Sequence, residues 1–143
     1  MSKFAISNLA FGGKPIVPVL RFLQNIGIEG IELASTLIWK EPELASKKER
    51  ENFKTLISDH GLSIVSLQSL LFSKPQLQLF KDSNTQTDLS KFLKNMVGLC
   101  ADLGGRFLSF GSPKNRIKGD LGLDEAISRA TPFFYKLAEF AKS

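Results

Sequence analysis

Three times along this chain a helical stretch meets glycine and then a short apolar run: Ile26-Gly27-Ile28, His60-Gly61-Leu62 and Leu103-Gly104-Gly105. Glycine at such a junction adopts the left-handed conformation that ends a helix, at little steric cost. The run behind it is short and bounded by turn residues, as a strand buried in a parallel sheet would be. A first run of this kind, Phe4-Ala5-Ile6-Ser7-Asn8, precedes the first helix. The order is therefore β-α-β-α-β-α-β-α, which specifies parallel strands joined by right-handed crossovers.

The helices are legible from their apolar spacing. Helix one runs from Pro15 to about Asn25, with Ile16, Val19, Leu20 and Leu23 as its stripe. Pro15 and Pro18 fall in its first turn, where a missing N–H is tolerated. Gly12-Gly13-Lys14 fits neither glycine-rich phosphate-loop pattern. Helix two opens with a capping box, Ser46-Lys47-Lys48-Glu49, and ends at His60, placed to meet the terminal carbonyls. Helix three spans about Thr85 to Leu103, with Leu89, Phe92, Leu93, Met96, Leu99, Cys100 and Leu103 inside; Cys100 reads as a small core residue. Helix four starts near Leu123 and runs to the chain end. Its buried side is Ala126, Ile127, Ala130, Phe133, Phe134, Leu137 and Ala141. Pro132 predicts a kink or a split there, with Thr131 capping a second segment.

The strands divide into two faces. Strand two is Ile28 to Leu33, strand three Leu62 to Gln68, and strand four follows Gly104-Gly105 as Arg106 to Phe110. Alternation puts Phe4, Ile6, Ile31, Leu33, Val65 and Leu67 on the helix side. It puts Ala5, Ser7, Gly30, Glu32, Ala34, Ile64, Ser66 and Gln68 on the other. A doubly wound sheet would bury those polar groups under helices, which is costly. A barrel turns that face toward its axis and opens it to ligand at the carboxyl ends of the strands. The reading is an α/β chain of the (β/α) barrel type. A full barrel takes about 250 residues. The 143 residues here supply four βα units. Residues 1–143 thus read as a single domain, the front half of a barrel, with open strands at both edges that invite self-association.

Candidate site residues lie at the carboxyl ends of those strands. Glu32 either meets a ligand hydroxyl or cation at the mouth of the sheet, or pairs with a lysine or solvent. Gln68 ends strand three on the same face. The loop Ser112-Pro113-Lys114-Asn115-Arg116 carries two cations, an amide and a hydroxyl in five positions. That is either an anion-binding loop or a solvated one. Trp39 either walls a pocket or packs on the surface. The long loop from Ser69 to about Asn84 has the length of a lid or binding loop.

Composition narrows the rest. The net charge of +5 is dispersed, so it favours anionic ligands weakly and gives no basic stripe for nucleic acid. One cysteine excludes an internal disulfide framework, and one histidine argues against a self-contained zinc site. Met1-Ser2-Lys3-Phe4 opens no secretory segment, and no apolar run approaches a membrane span, so a cytoplasmic chain is the expectation.

The chain resembles the sugar phosphate isomerase/epimerase family, the xylose-isomerase-like TIM barrels. The residues that carry the resemblance are Phe4-Ala5-Ile6-Ser7-Asn8, Ile26 to Ala34, His60 to Ser66, and Gly104 to Arg116; the most specific is Gly27-Ile28-Glu29-Gly30-Ile31-Glu32. The resemblance implies a divalent-metal enzyme (Mn, Mg, Co or Zn in a full-length relative) acting beside a sugar carbonyl. In relatives the metal ligands come from strands five to eight, so no cofactor is expected in this chain and no catalytic residue carries over. Glu32 matches the strand-two glutamate near the substrate. Ser112, Lys114, Asn115 and Arg116 match a loop suited to a phosphate or carboxylate on it. The expectation is the N-terminal part of a sugar or sugar-phosphate isomerase/epimerase, inactive alone. The alternative is a non-catalytic binding module that keeps an anion-binding loop. A DNA-repair endonuclease of the same superfamily needs a histidine cluster that His60 alone does not provide.

Overall fold

The computed structural model describes residues 4–142. The expected lack of a leader at Met1-Ser2-Lys3 and the last residue, Ser143, fall outside them. Four strands alternate with four helices: β1 (Ala5–Ser7), α1 (Ile16–Asn25), β2 (Gly30–Ala34), α2 (Lys47–Ser58), β3 (Ser63–Gln68), α3 (Ser83–Leu103), β4 (Phe107–Leu108) and α4 (Leu123–Lys142). The sheet order is β1-β2-β3-β4, and every neighbouring pair is parallel. Each crossover steps one strand further in the same direction. With right-handed crossovers, every helix then lands on one face. The other face is left without helices, as in four βα units of a barrel, and the chain is a four-unit half barrel.

The core lies between the sheet and the helices. Ile31, Leu33, Ile64 and Leu67 meet Leu20 and Leu23 of α1, Ile57 of α2 and Leu89, Leu93, Met96 and Leu99 of α3, all buried. Burying each such side chain contributes about 2 kcal/mol. The capping box of α2 forms as read: Glu49 N–H donates to Ser46 Oγ, and Ser46 N–H to Glu49 Oε2. His60 Nδ1 donates to Leu56 O at 2.9 Å, closing the end of that helix. Gly27, Gly61 and Gly104 all have φ between +70° and +84°, as their junctions require.

Five expectations are corrected. Ile31 pairs with Ile64 but Glu32 pairs with Ser66, so Val65 is an extra residue. This bulge breaks the alternation: Ile64 joins Leu67 in the core, and Val65 turns to the open face. Helix three starts two residues early, because Asp82 rather than a later residue caps it, accepting from Thr85 N–H at 2.7 Å. Strand four shrinks to two residues, although Arg106 and Ser109 N–H still reach Val65 O and Leu67 O. Pro132 does not split α4, which continues through it; Thr131 Oγ1 donates back to Ile127 O at 2.8 Å instead of capping a new segment. Only Ala126 of α4 is buried. Ala130, Phe133, Phe134 and Leu137 are half-buried, and Ile127 and Ala141 are exposed, because α4 packs mainly on α3.

Candidate functional site: the concave face

The face of the sheet without helices carries a short polar row. The register places Ser7 beside Glu32, Glu32 beside Ser66 and Ser66 beside Phe107, one residue from each strand. The side chains then bond across strands. Ser66 Oγ donates to Glu32 Oε1 at 3.1 Å. Gln68 Nε2 donates to Ser7 Oγ and, at 3.4 Å, to the carbonyl of Glu32. Ser66 is buried, and Ser7, Glu32 and Gln68 are half-buried. The other carboxylate oxygen of Glu32 makes no hydrogen bond or ion pair among the described residues. Glu32 lines a groove of about 660 Å³ with Ala5, Gly30, Val65, Ser66 and Ser109, a size that suits a small molecule. A carboxylate held by one oxygen and open at the other can accept a hydrogen bond from a ligand hydroxyl.

The groove exists because its floor is thin. A Cβ on Gly30 would stand 2.8 Å from Val65 Cγ1 and 3.0 Å from Ala5 Cβ. Glycine there lets the bulged Val65 lie across the sheet.

The loop residues lie elsewhere. Ser112, Lys114 and Asn115 line a second pocket of about 380 Å³ with Ser69, Phe72 and Pro75. Arg116 lines a third, beside Phe110 and Phe134. Asn115 is 3% exposed, and its amide donates to Lys74 O and Leu77 O, both at 2.8 Å. It staples the loop after β3 to the loop after β4. Lys114 and Arg116 are exposed, and Arg116 Nε donates to Gly111 O at 2.9 Å. Glu32 and Gln68 are thus brought together, while the loop cations are not brought to them. Trp39 packs edge-on against Phe53, its ring centroid 5.3 Å away, so it serves the helix side.

Two ties escaped the sequence reading. Asn8 bonds the backbone of Ala34 at the mouth of β2. Lys74 Nζ meets Glu43 Oε1 at 2.5 Å, linking the loops after β2 and β3, and lies 5.7 Å from the Phe92 ring centroid. Neither pair is close in sequence, and no local pattern marks it. The one available signal was an asparagine directly behind a strand, a position that often bonds backbone.

Burial pushes the Cys100 thiol above its ordinary pKa, and its Sγ lies 3.6 Å from Phe107 O. This agrees with its reading as a core residue. No helix of the described residues is long and apolar enough to cross a membrane. Among them, no group of three or more His, Cys, Asp and Glu is placed to hold a metal ion. The residues present do not make up the metal site that the resemblance implies for a full-length relative.

Neither a family model nor a curated protein sequence matches the chain. Solved structures do match its fold. A D-psicose 3-epimerase studied with D-fructose superposes with a TM-score of 0.70 at 14% identity, over 99% of this chain and 49% of that one. A sugar phosphate isomerase/epimerase from Parabacteroides distasonis gives 0.68 at 17% identity, over 98% and 47%. A probable 3-DHS dehydratase from Bacillus anthracis gives 0.62 at 16% identity, over 97% and 49%. The chain spans about half the length of each of these proteins. Its fold is that of about half of the barrel seen in these structures.

Proposed function

We propose that this chain forms the substrate-facing wall of a sugar or sugar-phosphate isomerase/epimerase. The observation that carries the reading is the Ser7–Gln68 and Ser66–Glu32 network on the concave face, with one Glu32 oxygen open to the groove. Such a row presents hydroxyl, amide and carboxylate groups in fixed positions, which suits the hydroxyls of a sugar. The epimerase names among the fold relatives support the substrate class, and the dehydratase among them shows that the fold alone does not set the reaction. Glu32 would accept a hydrogen bond from a sugar hydroxyl, with Ser66 and Gln68 holding it in place. Lys114 and Arg116 would serve a phosphate only if the ligand spans from the groove to their loop. Among the described residues no group is placed to hold a metal ion, so the role proposed for them is binding.

The test is amide-resolved NMR titration with D-fructose and with fructose 6-phosphate. The proposal expects shifts centred on Glu32, Ser66 and Gln68, weakened about tenfold in Glu32→Gln, the scale of one charged hydrogen bond. Shifts confined to Lys114 and Arg116, and seen equally with inorganic phosphate, would instead establish the non-catalytic anion-binding module. No shift with either sugar overturns both.

A further inference from the structure

The hydrogen bonds of the concave face leave it short of donors. The Ser66 hydroxyl proton is used on Glu32 Oε1 at 3.1 Å. Both protons of the Gln68 amide are used, on Ser7 Oγ and on the Glu32 carbonyl. Ser63 Oγ, further along the groove, donates to Glu29 O at 3.3 Å. What Glu32 turns to the groove is its second oxygen, a negatively charged acceptor that no donor among the described residues reaches. The described lining of the groove holds no Lys, Arg or His. Glu29 lines it too and has interactions of its own. Phe4 and Phe107 also line it, both well exposed, and an aromatic face attracts a cation.

We propose, resting on the sugar reading of this groove, that its ligand is an amino sugar whose ammonium sits on Glu32. A half-buried carboxylate has given up part of its hydration, and an opposite charge offsets that loss better than a neutral group does. A sugar hydroxyl brings one neutral donor, together with lone pairs that want donors in return. Ser66 and Gln68 have none left to offer. An ammonium brings three donors and no acceptor, which matches a surface that presents an acceptor. Its hydrogen bond to a carboxylate is about twice as strong as a neutral one. The same negative charge repels a phosphoryl group from this part of the groove. Any phosphate on the ligand would therefore point away from Glu32.

The test is amide-resolved NMR titration at neutral pH and constant ionic strength. The probes are 1-amino-1-deoxy-D-fructose, D-fructose as its uncharged counterpart, and methylammonium chloride as the charge without the sugar. The amino sugar should bind about five- to tenfold more tightly than D-fructose, the gain of a charged hydrogen bond over a neutral one. Its shifts should centre on Glu32 and Ser66. In Glu32→Gln the two sugars should bind about equally, and circular dichroism confirms that the variant folds. Methylammonium should bind more weakly than the amino sugar, because it lacks the hydroxyls. Equal affinity for the two sugars, a preference that survives in Glu32→Gln, or methylammonium binding as tightly as the amino sugar each overturns the proposal. Shifts of the row by D-fructose with no gain from the amino group overturn it and leave the sugar reading standing. No shift of the row with either sugar removes that reading as well.

Discussion

Asn8 and Ala34 lie on different strand ends, yet they are bonded twice. The Asn8 Oδ1 accepts from Ala34 N–H at 2.7 Å, and its Nδ2 donates to Ala34 O at 3.2 Å. The amide imitates one more rung of the sheet. It continues the β1–β2 pairing past Ser7, where the chain leaves β1 for a tight turn through Phe11. Both residues are buried. The pair fixes the mouth of the concave groove next to Glu32.

Replacing that amide should cost more than a surface hydrogen bond. Asn8→Ala leaves a buried N–H and C=O of Ala34 without partners, a penalty of about 2–4 kcal/mol. Asn8→Asp keeps the acceptor; protonated at low pH it also donates through its O–H, so there it should cost no more than about half as much. The ionised acid at pH 7 has no donor for Ala34 O and should cost more. Urea unfolding of the three proteins checks both values. An Asn8→Ala loss under 0.5 kcal/mol would show that the turn relaxes and water takes the amide's place.

The Gly30–Val65 contact makes a paired prediction. Gly30→Ala brings a methyl to 2.8 Å from Val65 Cγ1. Val65 is β-branched and cannot swing away easily, so the overpacking should cost about 1–3 kcal/mol. Val65→Ala in the same chain should recover more than half of that loss. Equal losses in the single and double variants would place the strain on Ala5, the other neighbour of Gly30.

Acid should weaken the start of α2 in a predictable sense. The Ser46 hydroxyl and backbone N–H both donate to Glu49, and they hold its carboxyl below the ordinary 4.5. The folded chain therefore holds this proton less tightly than the unfolded chain. The stabilisation is complete above about pH 4.5 and is lost as the pH falls through the lowered folded value. Asp82 acts the same way at the start of α3, from an ordinary 3.8, through the Thr85 backbone and hydroxyl. Ser46→Ala should lower Tm at pH 7 and flatten the fall in Tm between pH 5 and 3. A fall as steep as in the parent would remove Glu49 from the acid response.

Much of the site was legible because it depends on period and order. Alternation alone puts Ser7, Glu32, Ser66 and Gln68 on one face, and the register sets three of them side by side. Alternation puts Ile64 and Val65 on the wrong faces, because the extra residue in a bulge follows no period. Asn115 read as a ligand group from its type and its cationic neighbours. Its amide is taken by Lys74 and Leu77, whose carbonyls come from a loop that no local pattern links to it.

The sequence by itself determined the alternation of strand and helix, the glycine stops and the capping box, because each is set by contacts within a few residues. It also determined that one sheet face is polar, since side-chain direction in a strand is local. Only the tertiary structure decided which of those polar groups bond and that the loop cations stand apart from Glu32. Those outcomes depend on where separate strands and loops meet in space. A chain's neighbours fix its periods, while its distant partners fix its site.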